Sequence, residues 1–111
     1  MEITEKQFST QIESLLNHFG WRWTHFRPAR TMKGWRTPLT GDKGFTDYCA
    51  VRNGMCLFIE IKSEKGKLTP EETAWMQDLK EVAQISLGVM YHLWHPSDME
   101  PNGGKILEVL R

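Results

Sequence analysis

The dipeptide Asn53-Gly54 lies between two runs rich in apolar and β-favouring residues, 46–52 and 55–62. Asn-Gly is the strongest short-range signal for a two-residue hairpin, because both turn positions need a left-handed backbone that Asn tolerates and Gly adopts freely. The turn fixes a register: Arg52 faces Met55 and, counting outward, Asp47 faces Glu60. Lys62, two residues beyond Glu60, shares its face because side chains alternate along a strand. Directly opposed residues have Cβ atoms within ~5.5 Å, and like charges there are destabilising. Two carboxylates held opposite each other therefore need a reason.

A divalent cation is the most economical one. Magnesium and manganese take hard oxygen ligands, usually one or two carboxylates, and leave other positions to water and substrate phosphate. Asp47 and Glu60 are the candidate carboxylate ligands, and the backbone carbonyl of Ile61 is a further one. Lys62 is placed to orient an attacking water or to stabilise charge building on a phosphate. The combination describes metal-assisted phosphodiester hydrolysis. The competing explanation is a structural ion pair at the sheet rim, with Lys62 bridging the two acids; such clusters contribute little stability. Leu57, Ile59 and Ile61 weigh against a rim position, since charges in so apolar a strand are unusual unless functional.

The rest of the chain supplies a frame. Thr4 with Gln7 predicts a capping box, and Phe8, Ile12, Leu15, Leu16 and Phe19 recur at helical spacing until Gly20. Residues 21–26 read as a strand with Trp21, Trp23 and His25 on one side. Residues 27–44 show no periodicity and are broken by Pro28, Gly34, Pro38, Gly41 and Gly44, which reads as a long loop. Thr69-Pro70-Glu71-Glu72 predicts a second helix start, with Thr69 as N-cap and Glu72 closing a capping box. That helix runs to about Ile85, with Trp75, Leu79, Val82 and Ala83 on one face. A strand over 89–94 and one or two helical turns over 105–111 follow. The order αβββαβ(α) predicts an α/β fold: one domain over residues 1–111, a mixed sheet of about four strands flanked by helices.

Composition limits the function classes. The chain has 111 residues, 40% hydrophobic and 25% charged, with a formal net charge of zero. No apolar run approaches the ~20 residues of a membrane-spanning helix, and no leader pattern is present, so the expectation is a cytoplasmic protein with no membrane partner. Cys49 and Cys56 are too few for a disulfide framework and read as free, buried thiols. The zero net charge conceals an uneven distribution. Residues 21–45 carry six Lys and Arg against the single acid Asp42, which suits either a partner that is anionic along its length, such as nucleic acid, or a solvated loop that happens to be basic. Arg27, Arg30, Lys33 and Arg36 are the candidate phosphate-backbone contacts of such a nucleic acid, extended by Lys65 and Lys67. Trp35 is placed to stack on an unpaired base, whereas Trp21, Trp23, Trp75 and Trp94 fit a core.

These motifs together resemble the VRR-NUC branch of the PD-(D/E)xK nuclease superfamily, in the small stand-alone form common in phage and bacterial genomes. The resemblance spans nearly the whole chain. It rests on Gly20-Trp21, His25-Phe26-Arg27-Pro28-Ala29-Arg30-Thr31, Gly34-Trp35-Arg36-Thr37-Pro38, Gly44-Phe45-Thr46-Asp47, Glu60-Ile61-Lys62-Ser63, Gly66-Lys67-Leu68-Thr69-Pro70-Glu71 and Trp94-His95-Pro96-Ser97-Asp98. It implies a restriction-endonuclease-like core and a DNA endonuclease, structure-specific at junctions, flaps or nicks, sometimes a homodimer. It implies Mg²⁺ or Mn²⁺ held by Asp47 and Glu60, with Lys62 as the catalytic lysine. A phage-encoded member would act in the host cytoplasm.

Some positions depart from that pattern. Thr46 stands where the family usually has proline, His95 where it has arginine, and Glu72 where it commonly has glutamine. Glu72 already has a capping role and reads as structural first. Related nucleases often place another ligand on the first helix; Glu13 and Gln11 are the candidates, with Glu13 far enough off the apolar stripe to suggest a solvated face. His25 either touches phosphate or is satisfied within a polar edge. The alternative function is a non-catalytic DNA-binding module that retains the nuclease fold.

Overall fold

The Thr4 side chain accepts the Gln7 N–H at 3.0 Å and Gln7 returns the bond to the Thr4 N–H at 2.8 Å, which closes the first capping box. The computed structural model describes residues 2–26, 29–31, 34–36 and 39–111, the two short middle stretches by backbone alone. Helix α1, Glu5–His18, buries Phe8, Ser9, Ile12 and Leu16. Gly20, at φ 77°, turns the chain into strand β1, Arg22–His25.

The stretch read as an unbroken loop contains a small antiparallel ladder, β2 (Ala29–Thr31) with β3 (Gly34–Arg36), separate from the main sheet. Three-residue strands are too short to leave an alternation signal in the sequence. Arg27, Pro28, Lys33, Thr37 and Pro38 lie outside the described residues, as do the side chains of Arg30, Trp35 and Arg36.

Strands β4 (Tyr48–Arg52) and β5 (Met55–Ile61) form the predicted hairpin. Arg52 pairs with Met55 and Tyr48 with Ile59, the register that the Asn53-Gly54 turn dictates. Asn53 at φ 49° and Gly54 at φ 82° supply the two left-handed residues. Helix α2, Pro70–Ile85, starts with its capping box intact, and the chain then enters β6, Val89–Trp94. A 3₁₀ turn at Pro96–Met99 and helix α3, Gly104–Leu110, complete the described chain.

The sheet order is β1-β4-β5-β6, antiparallel except for the parallel β5–β6 pair, so it is a four-stranded mixed sheet. One face packs against α1 and α3 through Phe8, Ile12, Leu16, Ile106 and Leu110, which meet Tyr48, Ala50, Leu57, Ile59 and Trp94. Each Leu, Ile or Phe among them contributes ~1.5–3 kcal/mol on full burial. Arg52 ties this layer to the hairpin. Its guanidinium lies 4.3 Å from the Trp21 ring centroid and donates to the carbonyls of Phe19 and Leu110, both at 2.9 Å.

Helix α2 packs on the opposite face, over β6. Its apolar stripe is less buried than expected: Leu79 is buried, but Val82 is exposed and Trp75 only partly covered. Trp23 is also only partly buried, because its indole reaches out to Asn17 Oδ1 at 2.9 Å. Cys49 and Cys56 are free thiols, half-buried rather than enclosed. No helix among the described residues is long and apolar enough to cross a membrane.

Candidate metal and phosphate site

Asp47 and Glu60 meet where β4 begins and β5 ends. The regular ladder stops one pair short of them, at Tyr48 and Ile59. Asp47 then uses its side chain where a strand would use its backbone: Oδ2 accepts the Ile61 N–H at 2.8 Å. The Asp47 carbonyl in turn accepts the Phe26 N–H at 2.8 Å, tying it to the end of β1.

Glu60 is 1% exposed and its Oε1 has no hydrogen-bond partner. Burial, then the hydrogen bond and charge of Asp47, then the charge of Glu72 push its carboxyl up to about 10, against the pull of Lys62. A buried carboxylate oxygen without a donor costs free energy, and carboxylates that share a site cannot all ionise cheaply. The rim ion pair is not what forms. Glu60 lies inside the protein, and the Lys62 ammonium is taken by another acid.

That acid is Glu72. Lys62 Nζ lies 2.8 Å from Glu72 Oε1 and 3.0 Å from Oε2, with both side chains about five-sixths buried. Partial burial pushes the Lys62 pKa down, but the hydrogen bond and charge of Glu72 outweigh it, helped by Glu60 and Asp47, and the net shift is upward. Burial raises Glu72 as well, yet Lys62 and the Thr69 N–H overcome it and hold Glu72 as a carboxylate. Glu72 therefore caps α2, as expected, and also faces the site.

The first helix contributes differently from the sequence reading. Gln11 is exposed and lines a surface depression with Glu2, Glu64 and Glu100. Glu13 is not on a solvated face: its Oε2 accepts the Tyr48 hydroxyl at 2.6 Å and lies 3.2 Å from His25 Nδ1. Ser9, one turn earlier, also bonds the Tyr48 hydroxyl at 2.6 Å. A polar residue at position 9 hid the fact that this side of α1 is buried. His25 also stacks on Tyr48, with centroids 4.1 Å apart.

Glu5 was missed. Partial burial, Asp47 and Glu72 raise its carboxyl above the ordinary value while Lys62 lowers it, so it stands within electrostatic reach of the site. An acid in a first helical turn is common because it favours the helix dipole, and it gave no separate signal. Tyr91 was missed too. Its hydroxyl is buried with no partner, and burial and the charge of Glu60 keep it protonated.

The connector between β5 and α2 exposes Lys65 and Lys67 beside this site. His95 closes the connector from the end of β6, its Nε2 3.0 Å from the Gly66 carbonyl. The donor chemistry suits a hard divalent cation: Asp47 and Glu60 adjoin each other near the Lys62–Glu72 pair, Glu5 feels the charges of Asp47, Glu72 and Lys62, and one Glu60 oxygen is buried without a donor. Among the described residues, no group of three His, Cys, Asp or Glu is already placed to hold a metal ion. Any cation here would rest on the Asp47–Glu60 pair and take its other ligands from water and phosphate, the usual habit of magnesium.

No family model, curated protein or solved structure matches the chain.

Proposed function

We propose that the protein is a Mg²⁺- or Mn²⁺-dependent endonuclease that hydrolyses phosphodiester bonds in DNA on a restriction-endonuclease-like core. One observation carries the reading: the buried, partnerless Glu60 Oε1 beside Asp47, at the sheet end where Lys62 emerges. The resemblance to VRR-NUC nucleases supports it, as does the excess of Lys and Arg over residues 21–45.

In this reading Asp47 and Glu60, with the Ile61 carbonyl, hold the cation, which supplies Lewis acidity and a more acidic water. Lys62 is held protonated, so it acts as a cation toward developing phosphate charge and not as the base. Glu72 positions it. Lys65, Lys67, Arg27, Arg30, Lys33 and Arg36 contact the DNA backbone, which gives affinity without sequence reading. A homodimer acting on branched DNA belongs to the same proposal.

A second reading has a specific observation behind it. Lys62 is bound by both oxygens of Glu72, which fits a DNA-binding module whose lysine is withdrawn from catalysis. Incubation with linear, nicked, flapped and four-way DNA in magnesium, manganese or EDTA separates the two. The nuclease reading expects metal-dependent cutting that Asp47→Ala and Lys62→Ala abolish. Cutting that survives both substitutions, or binding with no cutting, overturns it.

A further inference from the structure

Among the described residues, helix cover on the sheet face that carries Asp47 is confined to one half. α2 packs over β6, at the far edge from β1. At the near edge, alternate residues form two adjacent rows: Arg22, Thr24 and Phe26 leading along β1, and Val51, Cys49 and Asp47 beside them along β4. Arg22 and Thr24 are exposed, Phe26 is 47% exposed and Val51 39%. Phe26 thus presents about half of a large aromatic side chain to solvent at the strand end.

Phe26 is nevertheless braced. Its ring meets Phe45 edge-on at 5.3 Å, and Phe45 packs in turn on Trp75 at 4.8 Å and Phe58 at 5.9 Å. A ring fixed from behind and open in front is a stacking surface that loses little entropy on binding. It also sits next to the candidate centre, since the Phe26 N–H bonds the Asp47 carbonyl at 2.8 Å.

The occupant follows from shape and charge. A second copy of the chain would need about 800 Å² of well-packed surface per partner, mostly apolar at its centre. This strip is a few residues wide and mixes an arginine and a threonine with its apolar groups. Duplex DNA keeps its base faces stacked and offers nothing flat to a protruding ring. A single strand offers unstacked bases to the ring and phosphates to Arg22, and Arg27, Arg30, Lys33 and Arg36 follow Phe26 directly in sequence.

We infer that the β1–β4 half of this face binds single-stranded nucleic acid, with Phe26 stacking on an unpaired base and Arg22 on a neighbouring phosphate. Its place in catalysis rests on the nuclease reading, within which this strip is the subsite that seats the unpaired arm of a substrate beside Asp47.

The test is fluorescence anisotropy in EDTA with a labelled oligo-dT strand and a blunt duplex of equal length. The wild type is expected to favour the single strand. Phe26→Ala is expected to weaken single-strand binding about five- to a hundredfold, with duplex binding changed less than twofold. Phe26→Leu keeps the apolar brace on Phe45 and loses the same affinity, whereas Phe26→Trp retains it; both cover the case in which the alanine variant does not fold. Equal loss on duplex and single strand, single-strand affinity unchanged in Phe26→Leu, or no single-strand binding by the wild type overturns the inference. Binding is read in EDTA, where a metal-dependent nuclease does not cut, so a failure of the separate magnesium or manganese cleavage assay would sink the nuclease reading without touching this result.

Discussion

Lys62 donates to both carboxylate oxygens of Glu72, at 2.8 and 3.0 Å, while the same Glu72 accepts the Thr69 N–H at 2.8 Å. One side chain thus starts a helix and holds the only lysine that the hairpin register places beside Asp47 and Glu60. The two roles separate by substitution. Glu72→Ala loses both and is expected to cost about 1 kcal/mol of stability through the cap. Glu72→Gln keeps an oxygen for Thr69 and Lys62, so most of that stability should remain while the Lys62 pKa falls with the lost charge. Urea unfolding of the two variants checks this. Equal losses would mean that the cap contributes nothing.

Glu60 sets how stability depends on pH in the metal-free protein. Burial and Asp47 push its folded pKa up to about 10, so between the unfolded value and that pH the native state binds a proton the unfolded chain has released. Stability from this group is therefore complete below the ordinary carboxylate range and is lost as pH rises toward 10, by up to about 1.4 kcal/mol per pH unit. In EDTA the melting temperature should fall from pH 5 to pH 9, and Glu60→Gln should flatten the fall. A variant with the same pH slope as the wild type would contradict the placement of Glu60.

If DNA is the partner, as proposed, affinity for it should be strongly salt-dependent and carried by the basic positions outside the centre. Alanine at Arg30, Lys33 or Lys67 is expected to reduce the slope of log affinity against log salt by about 0.9 for each duplex phosphate that is no longer neutralised. Melting temperatures should hardly change. A slope that stays constant across all three variants would remove these residues from the DNA-binding surface.

Much of this frame was readable from sequence because its signals are local. Asn53-Gly54 set the hairpin register, Thr4-Gln7 and Thr69-Glu72 set two helix starts, and each depends on a few adjacent residues. What was not readable depends on interactions between distant segments. Glu13 looked solvated because its buried partner Tyr48 lies 35 positions away. Glu72 showed its cap, four residues long, but not Lys62, which only the packing of α2 beside β5 brings within 3.0 Å. The short β2–β3 ladder lacked the length that periodicity needs.

A divalent cation at the proposed Asp47–Glu60 site is detected by calorimetric titration of Mn²⁺ into the wild type and Glu60→Gln. Saturable binding near one ion per chain is expected in the wild type, with affinity at least tenfold weaker in the variant. Binding of equal strength in both proteins, or none in the wild type with DNA present, would contradict it.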